Sequence, residues 1–461
     1  MKQITFFIAC LMAYCALAQD SIKTGVINMP PQYGSCDVRE FLQRVPQPPK
    51  TQKLKSSKKQ ASEKEYILWI DRLTNLPEYL RDFYDRVGED IAKVLNGEVS
   101  PLSMPELQQI DTDTYAYKVQ TFIGPAVTFS YNNESEIGQK AYNAVGNAPD
   151  LLWDQFLSFI PYVCLSINMD KPEAFWLNTD YRYGHYCKYP IEFYPNTKTG
   201  IVHYELTVYL YLKYTDSESN YDIRREEFQT QTNITQGVNR FNTAIQKIFA
   251  GYPNEGSRYD KLLYLNDWLT SHNCYNSVSV ESNRPDIAWS PLSALEGTVG
   301  ENGPVCEGYS RAFKVLCDKK NIPCTLASGW ACNDQNSSGE AHMWNHVKMG
   351  NGEWYAVDVT WNDPVMSWNA AVSGGENHDW FLIGSSTEIY PGFTYSESHI
   401  EDPFGGFTPN GSYSWNAVPG PTQSMTRYEV GNEDPDPDPD PDPDTITLED
   451  ITDLIDKYLA Q

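Results

Sequence analysis

The chain has 461 residues, 41% of them hydrophobic and 13% aromatic, which is enough for a large core and exceeds one average domain. Its formal net charge is −26. An acidic surface of that size repels polyanions, so no nucleic acid partner is expected.

At the start, Lys2 precedes an apolar run from Ile4 to Leu17 that is too short to span a bilayer. Ala16-Leu17-Ala18 follows as a small-x-small cleavage site, so residues 1–18 read as a secretory signal peptide and the protein as secreted: extracellular, periplasmic or at the cell surface. No later segment has the length and apolarity of a transmembrane helix. Residues 19–64, with Lys50, Lys53, Lys55, Lys58, Lys59 and Lys64 among Pro, Gln and Ser, read as a disordered linker.

An N-terminal α+β region is expected over 65–257. Ile67, Trp69, Ile70 and Leu73, then Leu80, Phe83, Val87, Ile91 and Val94, have helical spacing, and Pro77 divides them into two helices. Thr114 to Tyr131 has the β-branched and aromatic alternation of strands, and Ile137 to Phe159 reads as helix. Ile191 to Tyr214 is a strand pair turning at Asn196 to Gly200. Helical patterns follow at Asn233 to Phe249 and Arg258 to Ser271, and from Pro304 one helix precedes several strands. Helices and strands are segregated rather than alternating, which favours α+β over a doubly wound sheet.

At the other end, Glu433 to Asp444 carries seven acids in an Asp-Pro alternation, so 421–445 reads as a stiff acidic linker. Leu448, Ile451, Leu454, Ile455 and Leu459 then mark 446–461 as a short amphipathic helix, a tail suited to cell-surface attachment.

The chemistry-bearing residues lie between Pro304 and Pro364. Cys306 stands where Gly303-Pro304 ends a loop and Tyr309, Ala312, Phe313, Val315 and Leu316 begin a helix with one apolar face. A thiol needs help to ionise, and a helix N-terminus supplies unsatisfied N–H groups and a favourable dipole. His342 and Asp358 occupy strand-like segments, Ala341 to Met349 and Trp354 to Thr360, around the turn Gly350-Asn351-Gly352. A hairpin centred on Asn351 sets His342 opposite Thr360 and diagonal to Asp358 on one face, while a one-residue slip would turn Asp358 away. In that arrangement Cys306 is the nucleophile, His342 the general base and acid, and Asp358 the carboxylate that holds the ring. The Cys306 backbone N–H is one oxyanion-donor candidate and Trp289 another.

His346 shares the strand face of His342, so a two-histidine metal site is the rival, but no paired third ligand is evident. Cys306, Cys317, Cys324 and Cys332 are separated by ten, six and seven residues, unlike the close cysteine pairs of zinc sites. No metal and no cofactor are expected.

Pro304 to Phe313, with Leu316-Cys317 and Asn321 to Cys324, resembles the cysteine motif of the transglutaminase-like superfamily. His342 to Val347 and Trp354 to Pro364 resemble its histidine and aspartate motifs, and Tyr264 to Tyr275 the helix before them. The resemblance implies a papain-like α+β core over 258–420, with the nucleophile helix on an antiparallel sheet bearing His342 and Asp358. It implies a cysteine-dependent enzyme that attacks protein or peptide amides through an acyl-thioester. Water completing the reaction gives a peptidase or amidase, which is favoured; an amine gives a transamidase. The alternative is a non-catalytic module that binds a peptide or glycan on the same fold. The tail, Ile446 to Ile455, is similar to the helix half of a dockerin repeat, but Pro439, Pro441 and Pro443 fall where calcium ligands would stand.

Overall fold

The β-patterned stretches of the N-terminal half join one large antiparallel sheet. The structure, a computed structural model, describes residues 22–29, 31–36, 66–103, 107–109, 115–177, 181–213, 231–282, 287–332, 339–363, 377–402 and 420–431. Its first strands are β1 (Lys23–Asn28), β2 (Gln32–Cys36), β3 (Leu107–Gln109), β4 (Tyr115–Ile123) and β5 (Val127–Ser130). They are followed by β6 (Tyr181–Tyr194), β7 (Thr199–Val202) and β8 (Glu205–Lys213). The sheet runs β3-β4-β8-β6-β7-β5, with β1 and β2 also on β6. The expected turn at Asn196 to Gly200 joins β6 to β7, pairing Tyr194 with Thr199.

Three expectations need correction here. Part of the segment read as a disordered linker is ordered: Lys23 pairs with Phe193 and Gln32 with His185. A strand as long as β6 has a second edge of backbone groups to satisfy, and this polar, mostly exposed segment satisfies it without the alternation a half-buried strand would show. The helix expected over Ile67 to Leu73 is a single 3₁₀ turn at Ile70–Arg72. The Trp69 and Ile70 N–H groups donate to the buried Asp170 carboxylate at 2.8 and 3.1 Å, so a side chain takes the place of helical carbonyls. Residues 421–431, placed in the acidic linker, belong to the fold: the Ser424 N–H donates to the Trp354 carbonyl at 2.7 Å, and buried Tyr428 stacks on Tyr259.

The helices are α1 (Glu78–Leu95), α2 (Ile137–Val145), α3 (Ala148–Asp170), α4 (Gln231–Phe249) and α5 (Arg258–His272). After them come α6 (Ser277–Ser282), α7 (Pro291–Glu296) and α8 (Cys306–Asp318). The second sheet contains β9 (Cys324–Ala331), β10 (Glu340–Lys348) and β11 (Trp354–Val357), which leads into α9 (Val359–Asn362). The hairpin β12 (Glu388–Tyr390) and β13 (Phe393–Thr394), helix α10 (Tyr395–Ser398) and β14 (His399–Glu401) follow. Strand order is β11-β10-β9-β14, antiparallel throughout.

Alternation along β10 divides that sheet into two apolar faces. Met343 and Val347, with Leu326, Tyr355 and Val357, join the main core beside Tyr309, Phe313 and Leu316 of α8. Trp344, Ala327 and Ala356 meet Trp380, Ile383 and Tyr395 in a smaller cluster. The main core is continuous across the expected boundary at 257, since Trp69, Phe83, Phe156 and Leu206 belong to it with Leu262, Phe313 and Leu326. The indole N–H of Trp69 reaches the Leu326 carbonyl at 2.9 Å.

Among the described residues no helix is long and apolar enough to cross a membrane. The expected signal peptide at 1–18, residues 37–64 of the linker, the remainder of the acidic linker (432–445) and the tail helix at 446–461 lie outside the described residues.

Candidate active site

Cys306 is the first residue of α8 and is partly exposed. No side chain caps this end of the helix. The Val305 N–H instead donates to the Ala288 carbonyl at 3.0 Å, which fixes the chain just before the thiol. Gly308 is needed one turn on, because a Cβ there would lie 2.3 Å from that same carbonyl. Ser310 ties the first turn to the sheet, its hydroxyl 2.9 Å from the Cys306 carbonyl and 2.7 Å from the Met343 carbonyl. Asn345 donates in turn to the Ser310 carbonyl at 2.9 Å. The helix start is thus clasped to the strand that carries His342.

The hairpin has the expected register. Asn345 faces Val357 and Lys348 faces Trp354. What differs is the end of the second strand: β11 stops at Val357, and Asp358 is the N-cap of α9 rather than a strand residue. Its Oδ1 accepts the Trp361 N–H at 3.1 Å, which satisfies one orphan donor of the helix. Its Oδ2 accepts from His342 Nε2 at 2.7 Å. The Asp358 side chain is fully buried, and that of His342 is 8% exposed.

With Nε2 engaged by Asp358, the other ring nitrogen of His342 is the one left for Cys306, whose thiol acts on the ring. Burial by itself would lower the His342 pKa, but the Asp358 charge, the bond to it and the Cys306 thiol outweigh burial and push it up to about 10. Burial would raise Asp358, yet His342 and the bonds from His342 and His399 hold its carboxyl well below the usual carboxylate range. Tyr275 is close enough to Cys306 for the two to interact, and burial followed by the nearby thiol raises its phenol pKa.

His346 does not join this group. It is buried, accepts the Trp344 indole N–H at 3.2 Å, and has its pKa lowered by burial. Trp289 lies in a 3₁₀ turn, Ile287–Trp289, and is partly buried. Two residues without a role in the sequence-based reading stand at the site, Tyr275 and His399. Tyr275 precedes Cys306 by thirty-one positions, at the end of the segment read as the preceding helix, and was given no role of its own. His399 opens a three-residue edge strand, and its Nε2 lies 3.1 Å from the same Asp358 oxygen that His342 uses. Among the described residues, His342, Asp358 and His399 bring three ligand-type atoms within 4.8 Å of one another. Both imidazole nitrogens lie at hydrogen-bond distance from a single carboxylate oxygen.

The site is therefore a thiol at a helix start, beside an imidazole that is hydrogen-bonded to a buried carboxylate, in an α+β fold. Residues 246–359 match the family described as the transglutaminase-like superfamily, a span that holds Cys306, His342 and Asp358. Among curated proteins none matches. Two solved structures are similar to parts of the chain. One, described as a TGase, shares 16% identity at a TM-score of 0.24 and covers 34% of this chain and 42% of its own. The other, described as a candidate cysteine protease from Cytophaga hutchinsonii, shares 13% identity at a TM-score of 0.22 and covers 64% of this chain and 89% of its own. The chain thus spans less than half the length of the first.

Proposed function

We propose that the protein is a cysteine-dependent enzyme that attacks amide bonds of a protein or peptide, with Cys306 as nucleophile, His342 as proton carrier and Asp358 as its partner. The observation that carries this reading is that His342 is hydrogen-bonded to the buried Asp358 carboxylate while the Cys306 thiol, at the start of α8, acts on the same ring and raises its pKa. The raised pKa of His342 favours an imidazolium beside the sulfur, and an imidazolium stabilises a thiolate.

The chemistry runs in two halves. The Cys306 sulfur attacks the carbonyl carbon, and the oxygen takes up negative charge beside the Cys306 N–H, near Tyr275. His342 gives its proton to the departing amine, the C–N bond breaks, and an acyl-thioester remains on Cys306. Water, activated by the neutral His342, then attacks the thioester and releases the acid and the thiol. An amine entering in place of water would complete a transamidation, and hydrolysis is favoured because water is the abundant nucleophile. The Lys2 to Ala18 leader supports export to an extracellular, periplasmic or surface location, and the C-terminal tail an attachment role.

Iodoacetamide alkylation of the native protein, mapped by mass spectrometry across pH, tests the reading. Preferential labelling of Cys306 below pH 7, abolished by His342→Ala, is expected. An inert Cys306 sinks the enzymatic proposal and leaves the binding-module alternative. A peptide-library digest with and without an added amine then separates hydrolysis from transamidation.

A further inference from the structure

We propose that His399 is a positioning residue of this site, an imidazole whose Nε2–H holds the Asp358 carboxylate in place for His342. The inference rests on the functional reading above and adds a fourth side chain to it. Asp358 Oδ2 receives two imidazole nitrogens, His342 at 2.7 Å and His399 at 3.1 Å, from β10 and β14, the two strands that flank β9. With Trp361 N–H on Oδ1, three donors fix both oxygens, so the carboxylate cannot rotate without breaking a bond.

The surroundings of His399 fit a fixed, uncharged donor. Its side chain is fully buried. Its ring stacks on Tyr395 at 4.4 Å between centroids and 13°, and is flanked by Trp361 at 4.7 Å, Trp344 at 5.0 Å and Trp380 at 5.4 Å. Such a cage disfavours a charged ring: burial lowers the His399 pKa to about 4 despite Asp358 alongside. The other titratable groups that act on this ring are His342 and His346, which both lower it further. Glu401 and Arg72 act on the neighbouring His346, and Glu401 on Tyr395.

A neutral ring that gives its Nε2 proton to Asp358 must accept at Nδ1. The Ser398 hydroxyl, 3.1 Å away, donates to the Cys332 carbonyl at 2.7 Å, and its proton must turn from that carbonyl to serve Nδ1. One hydroxyl proton serves one acceptor at a time, so the tautomer of His399 is a specific consequence of the proposal.

Two substitutions in the full-length protein separate positioning from packing. His399→Phe keeps an aromatic ring in the cage and removes the donor; His399→Gln restores an N–H donor. The readouts are the pH dependence of Cys306 alkylation by iodoacetamide and thermal unfolding of each variant. In the folded Phe variant, His342 loses its fixed partner and its imidazolium weakens. The acid limb of alkylation then moves up by about one pH unit, a roughly tenfold loss of labelling on that limb, while the Gln variant recovers most of it. A folded Phe variant with an unchanged profile overturns the proposal, as does a Gln variant shifted as far as Phe. If the Phe variant fails to fold, ¹⁵N-imidazole spectra of the wild-type protein decide the matter. A neutral His399 protonated at Nε2 supports the proposal, and a ring protonated at Nδ1 or at both nitrogens overturns it. A wild-type Cys306 that resists alkylation sinks the enzymatic reading itself, which is a different result from a reactive Cys306 indifferent to His399.

Discussion

Asp358 and Trp361 are joined by an N-cap hydrogen bond of 3.1 Å, so the carboxylate that pairs with His342 also starts a helix. The two duties can be separated by substitution. Asp358→Asn keeps a side chain that caps well but carries no charge, and Asp358→Ala removes both functions. Asp358→Asn is expected to lose on the order of 10³-fold or more in kcat/KM. Asp358→Ala is expected to lose a comparable factor and to be less stable than the Asn variant by about 1 kcal/mol. Peptide hydrolysis assays with urea unfolding of both variants check this, and an active Asn variant contradicts the assigned role.

The raised pKa of His342 makes a statement about pH. A histidine whose folded pKa lies above its unfolded value contributes stability that is fully present below the unfolded value, near 6.5, and is lost as pH rises through about 10. The same protonated ring is the acid that serves the leaving amine. The alkaline limb of kcat/KM is therefore expected near pH 10 rather than near 6.5. A pH–rate profile that falls between 6 and 7 would show that the imidazolium is not held by Asp358 and Cys306.

Asp170 supports the site from a distance. Its buried carboxylate accepts from Trp69 N at 2.8 Å, Ile70 N at 3.1 Å and the Tyr84 hydroxyl at 2.9 Å. Asp170→Ala leaves three donors without an acceptor, each costing roughly 1–3 kcal/mol. A loss of at least about 3 kcal/mol is expected, measured by urea unfolding at neutral pH. A smaller loss would mean that water enters and satisfies the donors.

How much of this was legible in sequence varies with the kind of feature. The register of the β10–β11 hairpin follows from alternation and from the Gly350-Asn351-Gly352 turn, both local. The start of α8 follows from Gly303-Pro304 and the apolar stripe from Tyr309 to Leu316. The end of β11 was misread, because Val359, Thr360 and Trp361 are strand-favouring residues and the Asp358 cap overrides that preference. His399 was invisible for a different reason. It sits in a three-residue strand forty-one positions from Asp358, and its meeting with that residue is made only by the pairing of β14 with β9. The ordering of Lys23 to Cys36 was hidden in the same way, by a partner strand far along the chain.

That pairing rests on Gly329, which lies opposite both His342 and Glu401. A Cβ on Gly329 would stand 2.0 Å from the Ile400 carbonyl. Gly329→Ala is expected to push β14 outward, carry His399 from Asp358, and lower kcat/KM by up to about 100-fold. It should also lower the melting temperature by several degrees, at about 1–3 kcal/mol. Activity assays and thermal unfolding check both parts, and full activity in the variant would mean that β14 accommodates the methyl group in place.

Arg311, one turn and a little beyond Cys306, is fully buried and reaches across the chain to the Asn168 carbonyl at 2.7 Å while pairing with Glu307 at the helix start. Together with the Trp69 indole on Leu326, it makes the nucleophile helix and its sheet lean on segments more than a hundred positions upstream. Excising residues 246–359 would leave a buried guanidinium with Glu307 but without its Asn168 acceptors, and open one side of the hydrophobic interior. The smallest fragment worth expressing is therefore far longer than the region in which the reactive residues lie.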